Sequence, residues 1–354
     1  GLYNESCSAV LTNVSFLHNK GAYGGGLYDD DFDNVSPSSI FNSVTFTGNA
    51  AQFGGGCFTD YAHPTFNNST FSGNHATGRG GGIMMLSGMT LNNSLVTGNT
   101  SFNGGGVYIN SSSLYATNSF FVGNSSTNGG ALYLDYTTAA YLTNVVVAGN
   151  NAINTTGGTA SGKGGGVYMG AVSNLYCKFV DFYKNTATSD GGGIYFSNTA
   201  YEQKYDLCIF WGNRKGTAIS NIGFGTNDMP HMYNCLVEGG DSTIGYSANA
   251  FNSSEYPRFV NPDNVAGNDG IYGTADDGLT LGECSPAIDN LTTAQLYHSV
   301  HTDILGNTRY FHNKYDVGAY ENLTSPAITL PTVYTEKTQD IATDSVFMDN
   351  GCKI

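Results

Sequence analysis

Charge is the scarcest property of this chain. Asp, Glu, Lys and Arg make up 12% of 354 residues, and 13 basic residues stand against 28 acidic ones, for a net charge of −15. Nucleic acids and anionic membrane surfaces are held by clustered Lys and Arg, so the acidic balance argues against both as partners. Long hydrophobic runs are lacking as well, and none reaches the length of a transmembrane helix. No segment keeps helical apolar spacing over three turns, which excludes a helical domain. The seven cysteines never fall as Cys-x-x-Cys, against a zinc ribbon or a thioredoxin-type site. No Gly-x-Ser-x-Gly nucleophile elbow occurs. The stretch from Gly157 to Gly164 approaches a phosphate-binding loop but lacks the Ser/Thr after Lys163 and the helix that should follow.

Glycine and tyrosine are abundant instead, with 48 and 24 residues. They sit in a phrase that returns roughly every 25 residues, the length of one unit in a repeat architecture. A hydrophobic run ends in Asn, a few polar residues follow, then three glycines, an aliphatic residue and usually Tyr. The Asn column is Asn19, Asn49, Asn74, Asn99, Asn124, Asn150, Asn185 and Asn213. The aliphatic column is Leu27, Cys57, Ile83, Val107, Leu132, Val167 and Ile194, with Ile219 expected in a degraded eighth copy. Beside it run Tyr28, Phe58, Met84, Tyr108, Tyr133, Tyr168 and Tyr195.

Each unit holds two or three short β-branched or aromatic runs bounded by Gly, Asn and Ser. That pattern predicts an all-β parallel β-helix of eight to nine rungs, stacked ~4.8 Å apart. Gly at a fixed rung position permits positive φ or close backbone approach at a corner. The Asn that ends each run can take the left-handed conformation and close a turn. Stacked Asn side chains can also bond from rung to rung as a ladder. Cys208 and Cys235 take equivalent places in successive rungs and are expected as stacked buried thiols, with a disulfide between them as the alternative.

Here the sequence resembles known families. Gly129-Gly130-Ala131-Leu132 and Phe121-Val-Gly-Asn124 match the repeat signature of chlamydial polymorphic outer-membrane proteins. The Gly-Gly-Gly-Leu/Ile-Tyr form is similar to that of secreted bacterial right-handed β-helix proteins. The resemblance covers about residues 1–240 and implies a right-handed solenoid, an extracellular or cell-surface location and an adhesive or structural role. Residues 241–322 contain Ser285-Pro-Ala-Ile-Asp289 and Asp316-Val-Gly-Ala-Tyr-Glu321, phrases like those that close such solenoids, and are expected as an irregular C-terminal cap. Residues 323–354 read as a linker and tail. The chain opens on Gly1-Leu2-Tyr3, the end of a repeat phrase, so either further rungs or a second copy are expected at that end. Copies joined head to tail would form a filament.

Candidate sites follow from the few polar clusters. Alternating Asp29, Asp31 and Asp33, and the Gly-punctuated Asp269, Asp276 and Asp277, supply the oxygen-rich loops that Ca2+ prefers. Asp181, Lys184 and Asp190 are the best local group for catalysis. β-helix lyases and hydrolases, the alternative function, need a base or a pair of carboxylates on one exposed face. If Tyr28, Tyr108, Tyr133, Tyr168 and Tyr195 face outward, they form a stripe for a glycan or a cell-surface ligand; the alternative, which regular spacing favours, is a stacked aromatic ladder that supports the sheet.

Overall fold

The computed structural model describes residues 1–31, 38–136, 138–154, 161–197, 203–225, 230–240, 254–290, 299–311 and 313–324. The described residues form no helix; their regular structure is three stacks of short strands wound into a β-solenoid of about eight turns. The first sheet holds nine parallel strands, from Leu2–Glu5 to Ile222–Phe224. The second has two arms. In early rungs these are separate strands such as Thr65–Asn67 and Thr70–Ser72, and in middle rungs one bent strand, as in Ser113–Val122, Ala139–Ala148 and Asn174–Tyr183. The third runs from Ala50–Phe53 to Arg214–Lys215 and ends in an antiparallel pairing with Ala218–Ile219.

The interior is built of columns in strict register. Phe46, Phe71, Val96, Phe121, Val147, Phe182, Phe210 and Val237 pair rung to rung and are fully buried. Their rings stack where they meet, with centroids 4.6 Å apart for Phe46–Phe71 and 4.7 Å for Phe182–Phe210. The aliphatic column is buried from Leu27 to Ile194. Its eighth member is Ile222, paired with Ile194, and not the expected Ile219. Ile219 is drawn into the antiparallel pairing with Arg214 and is 41% exposed.

Each corner has its own column. The Asn ladder is continuous: the backbone N–H and Nδ2 of Asn74 both donate to Asn99 Oδ1 at 2.9 Å, and Asn99 treats Asn124 alike. The left-handed residue at this corner is the one before the Asn, as in Gly73 (φ 60°) and Gly98 (φ 61°), and not the Asn itself. The Asn side chain is needed inward, where Nδ2 also donates to a carbonyl of the preceding rung. A second left-handed corner bends the second sheet at Asn68, Asn93, Asn118 and Asn144. Behind it a hydroxyl ladder runs through Ser69, Ser94 and Ser119, each accepting a backbone N–H of the rung before. The column then passes through Val145 and Val180 to Cys208 and Cys235, which are buried thiols, held high in pKa at Cys208 by burial.

The closing segment is irregular, and it covers the flank of the stack. Phe259, Leu279, Leu281, Tyr315, Val317 and Tyr320 pack on the outer face of the second sheet's second arm, against Phe120, Val146, Phe179 and Ile209. The outward column of that arm reads Ser15, Thr45 and Thr70 in the early rungs, then Leu95, Phe120, Val146, Asp181, Ile209 and Leu236. Runs such as Phe120-Phe121-Val122 are apolar on both faces, so a second layer must cover them.

Candidate functional site

The three residues singled out for catalysis are not brought together. Asp181 points outward from the second sheet but lies under the closing segment, 1% exposed, where Oδ1 accepts the Ala319 N–H at 3.3 Å. Lys184 sits at a corner and pairs with Asp263 at 2.5 Å in solvent. Asp190 precedes a glycine triplet and accepts the Gly191 N–H.

Around Asp181 lies a buried polar centre that sequence reasoning did not assemble. Arg309 is fully buried, donates to Asn144 Oδ1 and the Ala319 carbonyl at 2.8 Å each, and faces Glu321 at 3.4 Å. Its guanidinium stands 4.0 Å over the Phe179 ring. Asp303 accepts the N–H groups of Leu305, Asn307 and Glu321, and Asp316 those of Asp289 and Asn322. Asp277 accepts the Tyr320 hydroxyl and the Gly273 N–H at 2.9 Å each. Burial pushes Asp181 up to about 8 and Glu321 up to about 9, in both cases against the pull of Arg309. Burial likewise raises Asp277 and Asp316 to about 6. Oδ2 of Asp181 and Oε1 of Glu321 have no hydrogen-bond partner among the described residues. The arrangement fastens the closing segment to the solenoid and does not face solvent. The phrases Ser285-Pro-Ala-Ile-Asp289 and Asp316-Val-Gly-Ala-Tyr-Glu321 were its sequence trace.

The acidic loops resolve differently. Asp29 turns into the solenoid, 1% exposed, accepting from Asn4 at 2.5 Å and Ser39 at 3.2 Å, and burial raises its pKa. Asp31 is buried beside it, and Asp33 lies outside the described residues. Asp269, Asp276 and Asp277 diverge: Asp269 closes a turn on Ile271 N–H, Asp276 accepts from Asn268 N–H and Thr274 Oγ1, and Asp277 points into the core. Among the described residues, no group of three His, Cys, Asp or Glu is placed to hold a metal ion.

The tyrosine row lies on the outer face of the first sheet. Tyr108, Tyr133, Tyr168 and Tyr195 stack along the axis, with centroids 4.5–5.5 Å apart. Tyr28 meets Phe58 edge-on, and Tyr108 and Tyr195 are buried. Face-to-face stacking spends the ring faces on neighbouring rings, and the hydroxyls of Tyr108 and Tyr195 are bonded to Asp135 and Lys163, so these rings act chiefly as a packing ladder. A second stack, Tyr115–Tyr141–Tyr176, lies on the outer face of the second sheet at 4.8 and 4.9 Å, with Tyr115 48% exposed. Its trace was available, since each Tyr precedes a ladder Asn by the same interval: Tyr115 and Asn124, Tyr141 and Asn150, Tyr176 and Asn185.

A groove of about 470 Å³ runs where the Asn68–Asn93–Asn118 corner meets the closing segment at residues 270–273. Its size suits a small ligand.

Together, solenoid and ladders define a β-helix repeat protein. The family model of the Chlamydia polymorphic membrane protein (Chlamydia_PMP) repeat matches residues 68–84 and 179–197. Each matched segment carries a ladder Asn and a glycine triplet, Asn74 with Gly80–Gly82 and Asn185 with Gly191–Gly193. The chain is thus similar to the chlamydial polymorphic membrane proteins in its repeat. No curated protein and no solved structure matches it.

Proposed function

We propose that this is a cell-surface β-helix protein with an adhesive role, in which the solenoid is a rigid scaffold that presents a ligand-binding surface. The observation that carries this is the repeat match itself. Both matched segments are stacked rungs of the solenoid, and the proteins they resemble are described as membrane proteins. The burial of Asp181 beneath the closing segment supports an adhesive role over polysaccharide cleavage, because the strongest sequence candidate for catalysis has no path to a substrate. Protease shaving and antibody labelling of intact producing cells test the location, and attachment of beads coated with the protein tests adhesion. Labelling only after cell lysis, or cleavage of polysaccharides to unsaturated or reducing-end products, would replace this assignment.

Head-to-tail association belongs to the same proposal. Rungs join by parallel strand pairing, as Leu2–Glu5 joins Leu27–Asp30, and the same pairing can join one copy of the chain to another. Light scattering at high protein concentration reads it directly: growth in mass supports the association, and a constant monomer mass refutes it.

A further inference from the structure

We propose that the groove between the Asn68–Asn93–Asn118 corner and the closing segment is a binding site for a neutral oligosaccharide. This deepens the adhesive assignment and rests on it for its biological setting. The corner residues hold left-handed φ of 51°, 48° and 49°, which turns their side chains away from the stack. Their backbones are committed to the solenoid: Asn68 N–H donates to the Asn92 carbonyl at 2.9 Å and Asn93 N–H to that of Thr117 at 3.0 Å. The side chains of Asn68 and Asn93 are left exposed along the groove, one rung or ~4.8 Å apart. At the next rungs the row is closed off. Asn118 Oδ1 accepts from Asn144, which also donates to the Thr302 carbonyl of the closing segment at 2.7 Å.

The rest of the lining completes the chemistry. Leu95 and Phe120 form an apolar wall, and the Tyr272 ring leans on Phe120 at 5.5 Å. No charged side chain is among the described lining residues. Carboxamides both donate and accept, as do the hydroxyls of a sugar, whereas an apolar ligand would leave the amides unpaired. An anionic ligand would find no cation in the groove and a net charge of −15 around it. A sugar ring presents hydroxyls at its rim and C–H groups on its faces, which fits an amide row set beside an apolar wall.

The experiment is titration calorimetry on the intact chain. The probes are neutral cello-, manno- and chito-oligosaccharides, with oligogalacturonate as the anionic comparison. Saturable binding of a neutral probe is expected. The double variant Asn68→Gly/Asn93→Gly, which keeps the left-handed corner, is expected to weaken binding at least tenfold at an unchanged melting midpoint, and Tyr272→Ala to weaken it similarly. No neutral binding, equal binding of oligogalacturonate, or parental affinity in the double variant would overturn the proposal. Bead adhesion that persists in the double variant would overturn the groove and leave the surface assignment standing. Oligosaccharide binding by a protein found only inside cells would do the reverse.

Discussion

At the scale of single residues, the Asn ladder and Asp181 show two opposite uses of a buried polar group. Asn99 is satisfied on every side: Oδ1 accepts twice from Asn74, and Nδ2 donates to Asn124 and to the Phe71 carbonyl. Asn99→Ala leaves two donors on Asn74 buried without acceptors, and should cost about 2–4 kcal/mol, read by denaturant unfolding. Asp181 has one acceptor bond and one bare oxygen. In the unfolded chain its carboxyl titrates at about 3.9, but in the folded protein burial raises it to about 8. A carboxyl raised on folding holds its proton longer in the native state. Native stability therefore falls as pH rises from about 4 to about 8 and is level above that. Asp181→Asn has no proton to lose. It should match the parent at pH 4 and exceed it at pH 8 by up to about 5 kcal/mol, measured by melting at both values.

At the scale of one element, the glycine triplet separates into three requirements. The first glycine supplies positive φ, as at Gly104 (φ 65°). The second lets backbones touch: a Cβ on Gly105 would lie 2.4 Å from the Gly130 carbonyl oxygen and 2.6 Å from that of Ser125. At the third, a Cβ on Gly106 would lie 2.6 Å from the Ala131 oxygen but otherwise beside the side chains of Val96 and Asn124. Ala131 itself occupies a third position in a native rung. Gly105→Ala should therefore lower the melting midpoint more than Gly106→Ala. Equal losses would mean that the two positions are under the same constraint.

At the scale of the whole molecule, the closing segment makes the solenoid two layers thick along one flank. Its apolar contact is interrupted by Arg309, fully buried among Glu321, Asp303, Asp316 and Asp181. A buried charge that loses its partner is expensive, while the intact pair adds little over an apolar contact. Arg309→Met leaves the buried Asn144 Oδ1 and Ala319 carbonyl without the donors that the guanidinium supplies, and should cost about 2–4 kcal/mol. The loss should appear first as proteolysis within residues 254–324, with the rungs still protected. Simultaneous cleavage of rungs and closing segment would mean that the two melt as one unit.

The repeat phrase by itself determined the solenoid, the rung count and the inward columns, because each depends on spacing that recurs every rung. Where the period frayed, local reading slipped: Ile219 looked like the eighth aliphatic, and pairing chose Ile222. The glycine that precedes six of the eight ladder Asn residues was equally present in the text, but which of two turn-forming neighbours bends is decided by the inward need for the amide. What only the tertiary structure decided is which flank is covered. That cover buries Asp181, gathers Arg309 with its acids and leaves a groove beside Asn68 and Asn93. These contacts join residues far apart in the chain, 165 positions for Asn144–Arg309 and 138 for Asp181–Ala319. An irregular segment that docks once has no period to announce it, so its partners are set by shape and burial.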